Sequence, residues 1–155
     1  ANNNNVDSLM YLSTSSFNNM DVYLRKQKRG NLSVMMVTGA WIEALHIATQ
    51  VVKETPSKEV SERVGEQQIT LNNIMLILDI YKADPFFADI IVDFQNLKKE
   101  LDKVSITYVY KAPESKEING QLVIVDNSTT EVKISDQNIK DITAAVSKLR
   151  EKLTR

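Results

Sequence analysis

Residues 32–53 read LSVMMVTGAWIEALHIATQVVK, and their strongly polar side chains are Glu43, His46, Gln50 and Lys53. On a helix, 100° per residue gathers these four, together with Gly39, onto one narrow stripe. Nearly all the remaining surface is apolar or small. A helix of that kind has to bury most of its circumference against other elements. The stretch therefore predicts a central helix, with Asn31 or Ser33 as N-cap and Pro56 closing it, and a bundle packed around it.

The flanking segments supply the other helices. From Val6 to about Gln27, the residues Val6, Met10, Phe17, Met20 and Leu24 recur at three-, four- and seven-residue spacings. That spacing places them on one face of a first helix, which Gly30 ends. The asparagine-rich run Ala1 to Asn5 before it predicts a frayed end. Ser57 can cap a third helix reaching about Lys82, with the seam Val60, Val64, Gln67, Leu71, Ile74, Leu78 and Tyr81. Asp84 before Pro85 marks the cap and first turn of a fourth helix, which carries Phe87, Ile90, Ile91, Phe94, Leu97 and Leu101 inward.

At Val104 the period changes to two. Val104, Ile106, Tyr108 and Tyr110 alternate with Ser105 and Thr107, which predicts a strand, and residues 121–126 read as the strand returning on it across a loop at 112–120. Residues 131–134 can add a short third strand. Ser135 then caps a last helix with the seam Ile139, Ile142, Val146, Leu149 and Leu153. The expected fold is mainly α: an antiparallel bundle of about five helices, with a β-hairpin or three short strands inserted before the last helix. Residues 1–155 form a single domain.

Composition bounds the rest. The chain has 155 residues, 43% hydrophobic and 25% charged, in the ordinary range for a chain that buries a core. Four glycines and three prolines leave little material for tight turns, which favours long regular elements. A formal net charge of −1 offers no global field for nucleic acid or anionic lipid, so no nucleic-acid partner is expected. The basic clusters at residues 25–29, 98–103 and 148–155 fall near predicted helix C-termini, where the helix dipole favours them. The longest uncharged run, residues 30–42, is too short to span a bilayer, so no transmembrane segment is expected. No signal peptide is visible, and a mature exported chain would have lost one.

The inventory of reactive groups excludes several chemistries. There is no cysteine, which removes thiolate catalysis and disulfides. His46 is the single histidine. Glu43 and His46 form a Glu-x-x-His on a bundle helix, the spacing of ferritin-like di-metal sites, but such sites need two of these motifs and two further glutamates. No metal and no cofactor are expected on this count. A phosphorelay histidine would be followed closely by a lysine and a small residue, and here Ile47, Ala48, Thr49 and Gln50 follow. No Gly-x-Ser-x-Gly elbow or glycine-rich phosphate loop exists, so no catalytic set can be assembled, although paired carboxylates are too numerous to sort by spacing. Gln67 occupies a seam position, where its amide needs a partner or contacts a ligand. Asn31-Leu32-Ser33 and Asn127-Ser128-Thr129 match the glycosylation sequon, a pattern of low specificity.

The stretch Thr38-Gly39-Ala40-Trp41-Ile42-Glu43-Ala44-Leu45-His46-Ile47-Ala48-Thr49-Gln50, followed by Glu66-Gln67-Gln68-Ile69-Thr70-Leu71, resembles a family of uncharacterised Bacteroidetes proteins predicted to be exported lipoproteins. The resemblance covers nearly the whole chain. It implies a periplasmic or cell-envelope location and supplies no activity. It further implies that the chain corresponds to the C-terminal part of a longer protein, with a helical region and a lipid anchor upstream of a first helix that has lost partners. The family pattern more often has tyrosine where this chain has His46.

These readings lead to a functional expectation with two alternatives. The first is a non-enzymatic binding or structural domain of the cell envelope, with a protein or small-molecule partner. The alternatives are a small-molecule binder or enzyme using a polar pocket at Glu43, His46, Gln50 and Gln67, and a phosphorelay-type bundle.

Overall fold

The computed structural model describes residues 5–118 and 121–154. In chain order the elements are α1 (Val6–Lys26), α2 (Gly30–Glu54), α3 (Lys58–Asp79), α4 (Pro85–Leu101), β1 (Ser105–Val109), β2 (Glu114–Ile118), β3 (Gln121–Val125), β4 (Thr129–Lys133) and α5 (Asp136–Leu153). The fold is mainly α, with five helices and the strands gathered before the last one. Helices α2, α3, α4 and α5 close a four-sided ring: α2 packs on α3 and α5, and α4 packs on the same two. α1 lies outside the ring against α2, and β4 leans on α3.

The seams expected from spacing point into this ring. Val64, Leu71, Ile74 and Leu78 of α3, Phe87, Ile90, Phe94, Leu97 and Leu101 of α4, and Ile139, Ile142, Val146 and Leu149 of α5 are buried. Fully burying side chains of this size contributes about 1.5–3 kcal/mol each relative to exposure. The helix starts are fixed locally. The Ser57 hydroxyl accepts from Val60 N (3.4 Å), Asp84 Oδ1 accepts from Phe86 N (3.0 Å) with Pro85 at the first helical position, and Ser135 with Asn138 forms a reciprocal capping box. α3 ends at Asp79, and residues 80–84 make a tight turn in place of the last expected helical turn.

Several expectations are corrected. Gly30 does not end α1; it opens α2, whose N-cap is Arg29 with no side-chain cap, so neither Asn31 nor Ser33 serves. α1 ends instead in a Schellman motif, with Arg29 N donating to Leu24 O (2.8 Å) and Lys28 N to Arg25 O (3.0 Å). Lys28 takes the left-handed conformation there, φ 58°, in the place glycine usually holds. Lys28 and Arg29 thus sit beyond the helix end. Asn5 caps α1 by accepting from Ser8 N, and the rest of the expected frayed run, residues 1–4, lies outside the described residues.

The strands pair differently from the expected hairpin. β1 pairs antiparallel with β4, Ile106 opposite Val132, and β2 pairs antiparallel with β3, Glu114 opposite Val125. The segment expected to be a loop thus contains β2, and 121–125 returns on it and not on β1. The sequence carries the reason. Asn-Gly at 119–120, outside the described residues, is the strongest short-range hairpin signal, and it falls between the paired Ile118 and Gln121. Val132 of β4 is buried in the core and Ile106 of β1 packs against it, while Leu122 and Ile124 of β3 stay exposed.

Two further corrections concern apolar faces. The face of α1 has the expected spacing, yet α1 buries no residue. α2 is central, but Val37, Ala40, Ala44, Ile47 and Val51 form an exposed stripe on its outer side. By length and composition α2 would pass as a bilayer-spanning helix, with mean hydropathy 1.3 over 18 residues, a test that the core helix of a soluble protein also passes.

Candidate ligand-binding cleft

The polar stripe of α2 divides between two environments. At its upper end Glu43 turns to α5 and accepts from Arg150, Nη2 to Oε1 at 3.1 Å with a second bond from Nε to Oε2. This hydrogen bonding holds the Glu43 carboxyl below its ordinary pKa and the Arg150 guanidinium above its own; the charges of Arg150 and His46 act on Glu43 in the same direction, and partial desolvation opposes them. One turn further on, His46 and Gln50 face a cleft of about 1300 Å³. Its walls are the C-terminal half of α2, the first turns of α3, β4 with the residues after it, and the N-terminal half of α5.

Both polar and apolar groups line this space. Val52, Val132, Ile134 and Ile139 form apolar patches, continuous with the core beneath. Ser57 and Ser61 from α3, and Thr143 and Ser147 from α5, bring hydroxyls at four-residue spacing, one helical turn apart. Two of these hydroxyls donate to the preceding turn, Ser61 Oγ to Ser57 O (2.8 Å) and Thr143 Oγ1 to Ile139 O (2.6 Å), and each oxygen keeps its capacity to accept. Lys58 pairs with Glu62 and Lys133 with Glu131, each at 3.6 Å. Among the described residues Lys53 and Lys140 have no ion-pair partner, against Asp136 in the first turn of α5.

His46 is the unusual member. Its Nδ1 atom is buried and has no hydrogen-bond partner among the described residues. Buried polar atoms are almost always paired, and an orphan costs about 1–3 kcal/mol. The backbone carbonyl of His46 is already used, accepting from Thr49 Oγ1 at 2.7 Å. Among the described residues no carboxylate holds Nδ1.

Of the four residues expected at a polar site, the structure brings together His46 and Gln50. Glu43 is occupied by Arg150. Gln67 is not part of the cleft: its Oε1 accepts from Trp41 Nε1 at 3.0 Å and its amide donates to Arg63 O at 3.3 Å, so the half-buried seam amide is paired within the bundle. The serines, the threonine and the two lysines are cleft residues that no sequence motif singles out. Their four-residue spacing beside the apolar seams was the available signal. Among the described residues no three His, Cys, Asp or Glu side chains gather closely enough to hold a metal ion.

A second, smaller groove between α4 and α5 is lined by Asp93, Glu100, Lys103 and Asp141, largely tied up in surface ion pairs. No protein-family model matches the chain, and no curated protein or solved structure is significantly similar to it.

Proposed function

We propose that this chain is a non-enzymatic binding domain that takes a small ligand into the cleft walled by α2, α3, β4 and α5. The observation that carries this reading is the cleft of about 1300 Å³ itself, with His46 and Gln50 in a wall of mixed polar and apolar groups. A ligand in the cleft meets the exposed part of the half-buried His46 ring, while Nδ1 itself stays covered. The free amide of Gln50 beside it, the unpaired Lys53 and Lys140, and the apolar patches suit a hydroxylated ligand with an apolar portion and an acidic group. A catalytic role draws no support from Glu43, whose carboxylate is engaged by Arg150. The resemblance to exported lipoproteins supports a cell-envelope location, which fractionation of cells expressing the native chain tests.

Because His46 is the only histidine, its imidazole resonances report on the cleft without ambiguity. We expect a thermal-shift screen over acidic sugars, fatty acids and short peptides to yield a stabilising compound. At 100 times the dissociation constant it adds about 2.7 kcal/mol, a shift of about 5–10 °C for a chain of this size. The same compound should move the His46 imidazole signals, and His46→Ala or Gln50→Ala should weaken the shift. A hit that leaves these signals in place, or a screen in which no compound stabilises the protein, would sink the reading.

A further inference from the structure

We propose, resting on the binding reading of the cleft, that its ligand is an extended acidic peptide that adds as a third strand to the free edge of β4. β4 pairs with β1 alone, in a two-stranded sheet. In an antiparallel pair each strand turns the N–H and C=O of alternate residues toward its partner and those of the intervening residues away from it. Among the described residues the backbone of 130–134 makes no hydrogen bond beyond the β1 ladder. The second edge of β4 therefore carries unpaired donors and acceptors, the template that an extended chain completes.

The cleft lies on that edge. A strand that turned one face to the space would contribute every second residue to its lining. β4 contributes Glu131, Val132 and Lys133 in unbroken succession, and Ile134 follows them, whereas β1 on the other side contributes none. The inward face is already used: a Cβ at Gly65 would stand 3.0 Å from Val132 Cγ1 and 3.5 Å from Ile134 Cδ1, so both side chains lie on α3. What remains toward the cleft is the main chain.

Size and charge identify the occupant. The volume of about 1300 Å³ exceeds the roughly 300–1000 Å³ of pockets that hold drug-sized molecules. Residues 131–134 offer an added strand about 13 Å of main chain to pair with. A fatty acid has no series of donors and acceptors to match, and a sugar does not carry them at strand spacing. Lys58 and Lys133 are neutralised by Glu62 and Glu131, which leaves Lys53 and Lys140 against Asp136 alone, an excess of positive charge that acidic residues complement. Because the side chains of a strand alternate, one set can settle on the apolar wall at Val52 and Ile139 while the other carries the carboxylates.

The probe is a pool of N-acetylated, C-amidated hexapeptides that alternate valine, isoleucine or leucine with glutamate or aspartate, added to the ¹⁵N-labelled full chain. The pool should stabilise the protein, move the His46 signals, and give alternate amides within 130–134 roughly tenfold or greater protection from hydrogen exchange. Methylating the peptide nitrogens at every second residue should abolish binding in one register and spare it in the other. Lys53→Glu and Lys140→Glu, both at exposed positions, should each weaken binding several-fold. Unmoved β4 amides, equal binding by both methylated forms, or equal binding by valine–lysine peptides would overturn the proposal. So would β4 protection in the free chain that rises with protein concentration, which marks a second copy as the occupant. A fatty acid or sugar that moves His46 while the pool does not bind overturns the peptide alone and leaves the small-ligand reading standing; silence from every compound removes both.

Discussion

Glu43 and Arg150, 107 positions apart in the chain, meet in a two-pronged ion pair that joins α2 to α5 one turn from His46. The pair closes the polar stripe of α2 on one side and leaves His46 and Gln50 facing the cleft on the other. It also gives the α2–α5 contact a pH dependence of known sign. The folded-state pKa of Glu43 is depressed, so its contribution is fully present above the ordinary carboxylate range and is lost as pH falls through the folded value. Urea denaturation of the native chain and Glu43→Gln should show a stability gap at neutral pH that closes in the acid range. A gap that widens on acidification would contradict the pairing.

Trp41 and Gln67 make a second long-range contact, between α2 and α3. Replacing Gln67 by Leu leaves the indole N–H without its acceptor, and the expected loss is about 1–2 kcal/mol. Trp41 is the only tryptophan, so its fluorescence reports both the local change and global unfolding in one titration. A neutral Gln67→Leu would mean that the indole finds water as readily as the amide.

The helical glycines Gly39 and Gly65 should respond in opposite ways to alanine. Nothing lies within 4 Å of a Cβ at Gly39, so Gly39→Ala should stabilise by about 0.5–1 kcal/mol through helix propensity. A Cβ at Gly65 would stand 3.0 Å from the γ-methyls of both Val104 and Val132, where α3 meets the strands. Overpacking there costs about 1–3 kcal/mol against a propensity gain of about 1, so Gly65→Ala should be destabilising. Thermal unfolding of both variants checks the signs.

Lys28 holds a left-handed conformation in the α1–α2 turn. An L side chain pays about 1–2 kcal/mol there, part of which glycine returns to unfolded-chain entropy. Lys28→Gly should therefore raise stability by about 0.5–1 kcal/mol, while Lys28→Val should lower it. Equal midpoints for the two variants would argue against the Schellman geometry.

Much of the fold was legible along the chain. The seams of α3, α4 and α5 and the caps Ser57, Asp84 and Ser135 depend on neighbours within a few residues, so spacing and capping chemistry suffice to place them. The strands were less legible. Val104 to Tyr110 alternates as a strand should, but alternation does not name a partner, and the Asn-Gly signal at 119–120 that favours the β2–β3 pairing lies in a polar stretch without strand alternation. At the candidate site the sequence singled out His46 and Gln50, because they stand alone on an apolar helix. It could not separate them from Glu43 and Gln67, whose partners Arg150 and Trp41 are set by how α2 packs on α5 and α3.

By itself, then, the sequence determined the five helices, the inward faces of α3, α4 and α5 and the absence of thiol chemistry, since each follows from residue identity and local periodicity. Only the tertiary structure decided which polar groups were consumed by partners and which were left facing a cleft. It alone also left the apolar face of α1 uncovered. Periodicity says that a face is apolar, but whether another surface lies against it is a property of the packed chain.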